Sequence, residues 1–536
     1  MTTSQRFIFG PAAAALAFTI SGEAICAVPP EQLNRVVDLG LNHSDIGDTI
    51  EQLTDRIGGR LTNSPSQRAA VIFAMGRLKD WGLSNVHEEG YKFGRGWSVA
   101  SYSVTMTAPR TLPLVAVPIA WTPGTDGPVN GEVVFAPMSG PQDLASWQGK
   151  LAGKIVLLDP PGHVVDETEV PFHRWKPEEL ANPVLAIPAT DTEQADASRA
   201  DKIDFARKLD AFLKAQGAVA WVRCSSVDRK LVHGVGYFYR EGQTLTLPGF
   251  EMAAEDYRRL VRLTHEGLTP SLGLQDEVRF DDSDLNAYNV FADVPGHDSK
   301  AGYVMVGAHM DSWAAGDGAM DDGAGAAIVM EAARILAAAN VKPRRTIRFA
   351  LWSGEEEGTL GSIAYVDQHI ASRPGFEPRS DRSGIAQMMM ADHTWPVVKH
   401  PGYSDIKAYF NLDSGGGRIR GVSLQADLEA TPIVKEWLAP LSGLGVTAVS
   451  PRVSHGGDHN SFSSVGVPSL TFTSDMLDAF QIYHTNADTL DHLKPDEMRQ
   501  AATAVAAILL EAADSDADMP AMPLPTKDVS PKAGEF

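Results

Sequence analysis

Two short apolar runs, at 303–306 and 347–352, bracket a glycine-rich stretch and a segment in which Val329, Ala333 and Leu336 recur at helical spacing. Continuous apolar runs of that length predict buried strands, and the 3.6-residue period predicts a helix packed on them. Strand texture returns at 287–294, 406–410 and 467–473. Further helices are expected at 431–438 and at 496–513, the latter apolar through Ala501, Val505 and Leu509. Near the start, 34–83 reads as helical: Val71, Met75 and Leu78 follow an i, i+4, i+7 pattern that Trp81-Gly82 closes. These elements predict an α/β fold, a mixed central sheet flanked by helices.

The texture changes near Trp121. From there to Gly273 the pattern is one of short strands (131–135, 154–158, 219–223) and helices (205–216, 254–263) divided by Pro and Gly. The stretch 160–200, rich in Pro, Asp and Glu, is expected to form a long loop or lid. This predicts a β-rich domain inserted at 118–273 between two parts of a larger domain, 28–117 and 274–513. The tail 514–536 is expected to be disordered.

A length of 536 residues exceeds what one hydrophobic core organises. A formal charge of -22 argues against nucleic acid or an anionic membrane surface as partner. Arg6, an apolar stretch at 7–20 and small residues at 22–27 have the layout of a secretory signal peptide, 1–27, so an exported protein, periplasmic or secreted, is expected. Cys26 and Cys224 are the only cysteines. A cleaved chain keeps one thiol, which leaves His, Asp and Glu as the candidate metal ligands.

Those residue types gather where strands should end. The run at 303–306 leads to His309 and Asp311, and the glycine-rich loop with Gly316, Gly318, Gly323 and Gly325 leads to Asp321 at a helix start. The run at 347–352 leads to Glu355 and Glu356, the strand at 406–410 to Asp413, and the segment after 473 to His484. An aspartate at a helix start is commonly only a cap, and acidic residues after a strand are commonly solvated. Together, however, these positions supply two imidazoles, three ligating carboxylates, a general base and a carboxylate able to orient an imidazole. That inventory fills two zinc sites with room for water or substrate. Arg60 reads as a solvated loop residue or a grip for a substrate carboxylate, and Met388, Met389 and Met390 as core packing.

The wording GAHMDSW, GAMDDGAG, LWSGEEEGTLGS, NLDSG and YHTNADT resembles the co-catalytic dinuclear zinc exopeptidase family, of leucyl aminopeptidase and glutamate carboxypeptidase type, and within it the carboxypeptidase Q branch. The resemblance spans 34–513. It implies two Zn2+ per chain: one held by His309 and Asp413, the other by Glu356 and His484, with Asp321 bridging. It also implies Glu355 as general base, Asp311 as the aspartate behind His309, and 118–273 as a protease-associated domain. Asp458 and His459 match a loop near the pocket, and Tyr483 is read as packing or as an oxyanion donor. The expected activity is removal of terminal residues from short peptides, as an aminopeptidase or dipeptidase. A carboxypeptidase is the alternative, with a glutaminyl-cyclase-like acyl transferase or a receptor-like binding protein as more distant ones. The relatives suggest a homodimer.

Overall fold

The computed structural model describes residues 28–164, 172–181, 193–239, 244–374, 395–413, 415–454 and 456–524. The expected signal peptide, the three methionines at 388–390 and the last twelve residues of the tail lie outside them.

The central sheet has eight strands, in the order Ser84–Lys92, Asn286–Val294, Thr346–Trp352, Tyr303–His309, Ile406–Asn411, Ser469–Ser474, Ile419–Ser423 and Ala448–Ser450. Thr346–Trp352, Tyr303–His309, Ile406–Asn411 and Ser469–Ser474 run parallel as one block. The strands bordering that block, Asn286–Val294 and Ile419–Ser423, are antiparallel to it. Side chains alternate as strand geometry requires. Val304, Val306, Ile347, Phe349 and Leu351 join one core, while Met305, Ala350 and Trp352 join another on the opposite face. The first core is closed by helices Pro30–Asn42, Pro65–Asp80, Ala324–Ala339 and Pro495–Asp514. Burial on both faces is why the central strands read as continuous apolar runs.

The second sheet also has eight strands: Leu112–Pro113, Gly96–Ala108, Ser271–Asp281, Val129–Phe135, Lys154–Leu157, Ala220–Cys224, Gly249–Met252 and Ala116–Pro118. Its strands reach from 96 to 281, wider than 118–273, because Gly96–Ala108 pairs along nearly its whole length with Ser271–Asp281. Val104 and Met106 join Leu272 and Leu274 in a core of their own. A fourth apolar cluster, with Trp97, Trp121, Tyr239 and Trp313, joins residues of both sheets' units.

Three local departures have physical causes. The expected helical stretch 34–83 is divided into Pro30–Asn42, Ile46–Glu51, a wide turn Gln52–Ile57 and Pro65–Asp80; Gly58 at φ +81° ends the wide turn. Helix Glu193–Ala215 begins inside the stretch expected as loop. Residues 515–524, expected as part of a disordered tail, are fastened to loops beside the central sheet. Arg345 donates to the carbonyls of Ala512, Ser515 and Ala517, and the Met522 amide donates to Gly466 O.

Candidate metal centre

The carboxyl end of the parallel block gathers the acidic and imidazole side chains, where open α/β sheets commonly hold ligands. His309 is the last residue of the middle strand and pairs in register with Trp352. The strand on one side leads to Glu355 and Glu356, and the strand on the other to Asp413. Asp321 stands between the two imidazoles. Its Oδ1 lies 3.1 Å from His309 Nε2, and its Oδ2 lies 2.9 Å from His484 Nε2. Asp413 Oδ1 is 3.6 Å from His309 Nε2, and Glu356 Oε2 is 2.9 Å from His484 Nε2. Two groups of potential ligand atoms, His309–Asp321–Asp413 and Asp321–Glu356–His484, each fall within 4.8 Å and share Asp321.

The donor set fits two divalent cations. Ligand atoms bound tetrahedrally at about 2.0–2.1 Å lie roughly 3.3 Å apart, and the measured separations straddle that spacing. Nitrogen and carboxylate oxygen without sulfur suit zinc among the borderline ions. Glu356 Oε1 is buried without a hydrogen-bond partner, a costly arrangement that a cation relieves. Burial pushes the Glu356 carboxyl up to about 7, against the pull of His484, and Asp321 adds to the rise. Burial and the carboxylates of Asp413 and Asp458 likewise hold Glu355 well above the usual range, although His309 opposes them. Asp321 is the exception. Burial opposes its ionisation, but its hydrogen bonds to His309 and His484 win and keep it ionised. A buried group of mainly acidic side chains needs positive charge from elsewhere.

Asp321 is not in the helix. Asp321 and Asp322 have non-helical backbones (φ -129° and -125°), and the helix begins at Ala324. Asp322 supplies the cap, accepting from Gly325 N at 3.0 Å, which leaves Asp321 to face the imidazoles. The approach is tight. Gly318 sits at φ +59°, and a Cβ there would lie 2.3 Å from Ser312 Cβ. Asp488 fixes the same turn by accepting from Met320 N (2.6 Å) and Asp321 N (3.1 Å).

Asp311 is fully buried and meets His309 differently from the simple carboxylate contact expected. His309 Nδ1 faces the Asp311 backbone carbonyl at 3.1 Å, with carboxylate Oδ1 farther away at 3.8 Å. The other carboxylate oxygen accepts from Thr62 Oγ1 (3.1 Å) and Glu356 N (3.2 Å), so Asp311 joins the two ligand-bearing loops. Arg60 is neither solvated nor aimed at a substrate. It is wholly buried, and its guanidinium donates to the carbonyls of Met310, Leu53, Gly58, Asp317 and Gly318. Asp458 is buried near Asp413, whereas the His459 ring is turned to Ser454, with Nε2 3.1 Å from its carbonyl. Tyr483 is 41% exposed and leans on His484, ring centroids 4.5 Å apart.

Two residues close to the ligands had no role in the sequence reading. Asp488 lies inside the YHTNADT wording, five residues after Tyr483, where a second acidic residue could have been weighed. Tyr237 comes from the second sheet's loops, and its hydroxyl lies 3.0 Å from His484 Nδ1. Only the folded chain brings it there.

Residues 289–509 match the peptidase family M28. Over most of its length the chain is similar to carboxypeptidase Q of Xenopus laevis (26% identical over 494 residues, 90% of this chain and 90% of the relative). Carboxypeptidase Q of Mus musculus is 24% identical over 481 residues, 87% of this chain and 85% of the relative. Among solved structures, a peptidase M28 precursor from Shewanella amazonensis superposes with a TM-score of 0.64, at 24% identity, covering 92% of this chain and 98% of that one. A zinc aminopeptidase from Bacillus subtilis superposes with a TM-score of 0.56 at 17% identity, covering 90% and 96%. Both superpositions are likenesses of fold.

Proposed function

We propose, from the match of residues 289–509 to peptidase family M28, that the chain is a metallo-exopeptidase holding two zinc ions and removing terminal residues from short peptides. The observation that carries this reading is Asp321, one carboxylate oxygen on each of two imidazoles, with a further carboxylate completing each group. In this reading His309 and Asp413 would hold one ion and Glu356 and His484 the other, with Asp321 shared between the two groups. A zinc pair bound there supplies Lewis-acid polarisation of the scissile carbonyl and a water acidic enough to lose its proton near neutral pH.

Glu355 is the general base. Its half-buried side chain follows the strand end that also carries Glu356. It takes the water proton and returns it to the leaving amine. Asp311 acts on geometry, tying His309 to the backbone amide of Glu356. The second sheet is read as the inserted protease-associated domain of 118–273, its pairing extended to the flanking strands. The apolar stretch at 7–20 supports export.

The grip on the peptide favours a free amine. Arg60 is committed to backbone carbonyls, whereas Asp458 offers a buried carboxylate close to Asp413 and Glu355. This supports an aminopeptidase or dipeptidase. Similarity to carboxypeptidase Q supports the second reading, a carboxypeptidase.

Three matched dipeptides decide between them: unblocked, N-acetylated and C-amidated, each with zinc and with Glu355→Gln as control. Release from the unblocked and amidated peptides means an aminopeptidase, and from the unblocked one alone a dipeptidase. Release from the unblocked and acetylated peptides means a carboxypeptidase. Zinc-independent release, or full activity in Glu355→Gln, overturns the mechanism.

A further inference from the structure

The two imidazoles of the metal centre are oriented in different ways. His309 turns Nδ1 to the carbonyl of Asp311, two residues along its own chain segment. His484 turns Nδ1 to the hydroxyl of Tyr237, which belongs to the loop at 231–239 between strands of the second sheet. We infer that Tyr237 is a positioning residue for the metal centre: it accepts the Nδ1 proton of His484 and thereby presents Nε2 to the ion. This rests on the two-metal reading above.

The contact is built rather than incidental. His484 has φ +62°, a left-handed backbone that persists only where its surroundings hold it. Holding groups surround it. The Thr485 amide and hydroxyl both donate to Ile482 O, at 2.9 and 2.6 Å. Asn486 and Val232 then clamp the two units together through Asn486 N to Val232 O (2.9 Å) and Val232 N to Asn486 Oδ1 (2.9 Å). Glu251 fixes the other side of the Tyr237 loop, accepting from the amides of His233 (3.0 Å) and Gly234 (3.1 Å). Trp313 packs edge-on against the Tyr237 ring, centroids 5.4 Å apart.

An imidazole that binds metal through one nitrogen must carry its proton on the other, and the acceptor of that proton sets ring orientation. On the His484 side the acceptor comes from the second sheet's unit. That unit therefore contributes to metal affinity, and the site at Glu356–His484 is incomplete without it.

Zinc uptake by the full-length chain tests this, read by metal content and by chelator competition across graded free zinc. The native chain is expected to take up two ions. Tyr237→Phe is expected to retain one of native affinity and bind the other about 10–100-fold more weakly. The cobalt-loaded variant is expected to show an altered visible spectrum at one site of the two. Tyr239→Phe is the control, because it removes a hydroxyl from the same loop that donates to Phe93 O at 2.7 Å, away from the ligands. It is expected to leave both uptake steps unchanged. Native uptake and an unchanged cobalt spectrum in Tyr237→Phe overturn the inference. An equal loss in Tyr239→Phe also overturns it, since the effect would then belong to the loop. A native chain that takes up fewer than two ions overturns the two-metal reading, a failure seen without any variant.

Discussion

Asp488 holds Asp321 by its backbone: one carboxylate oxygen accepts from Met320 N at 2.6 Å and the other from Asp321 N at 3.1 Å. The pair of bonds sets the direction in which the Asp321 carboxylate points, one oxygen toward each imidazole. Replacing Asp488 with Asn turns one acceptor into a donor facing an N–H. Asp488→Asn is therefore expected to weaken zinc binding at both sites together by about 10–100-fold, the usual scale for groups that orient ligands. Chelator competition would show a joint loss, in contrast to the one-site loss expected for Tyr237→Phe.

Glu355→Gln should separate binding from chemistry. Glutamine keeps the shape but cannot take a proton, so turnover is expected to fall by about 10²–10⁴-fold. Zinc content should stay native, because Glu355 is not among the ligand groups. Peptide release and metal analysis on the same preparation check both halves.

Arg60 is expected to matter for stability. Removing its guanidinium takes a donor from five carbonyls, three of them in buried contacts, although Gly318 O keeps the Gly323 amide. Each unsatisfied group costs about 1–3 kcal/mol, partly recovered where water enters. Arg60→Met should lower the melting temperature of the zinc-loaded protein by several degrees. A native melting temperature would show that the 310–318 loop does not depend on it.

Stripping zinc should destabilise the fold. An ion that binds only the native state adds RT ln(1 + [L]/Kd), about 2.7 kcal/mol at a hundredfold excess over Kd. The carboxylates around Asp321 then lose their counter-charge. A melting temperature that rises with free zinc and falls on chelation is expected, as read by scanning calorimetry.

Acid should loosen the loop that carries Tyr237. Burial alone would raise the Glu251 carboxyl, but hydrogen bonds from His233 and Gly234 outweigh it and leave the group below its ordinary value of 4.5. A depressed carboxyl stabilises the fold above its unfolded pKa, and that contribution disappears as pH falls below about 4.5. In zinc-free protein, Glu251→Gln is expected to lower the melting temperature at pH 7 and to flatten its decline below pH 4.5. Parallel melting curves for the two proteins would contradict this.

Much of the fold could be read from the chain because the central strands are buried on both faces. Val304, Met305 and Val306 point into different cores yet are all apolar, so the run is continuous. His309, Glu356 and Asp413 could be singled out because each lies at or just past a strand end that an apolar run marks. Arg60 could not, since its partners are backbone carbonyls at 310, 317 and 318, which leave no trace in side-chain pattern. Tyr237 stands 247 residues from His484, and no local period connects them. The extent of the second sheet was obscured for a similar reason. Gly96–Ala108 has the texture of any strand, and only its pairing with Ser271–Asp281 shows to which sheet it belongs.

The clamp on Asp321 also sets an order of events during synthesis. His309, Asp321, Glu356 and Asp413 are all translated before His484, and the residue that aims Asp321 follows at 488. A ribosome must therefore pass residue 488 before the Asp321 carboxylate is held in place. Until then the nascent polypeptide lacks one of the two imidazoles that face Asp321 and the acceptor that aims it, so on the two-metal reading the centre assembles only after that segment has emerged.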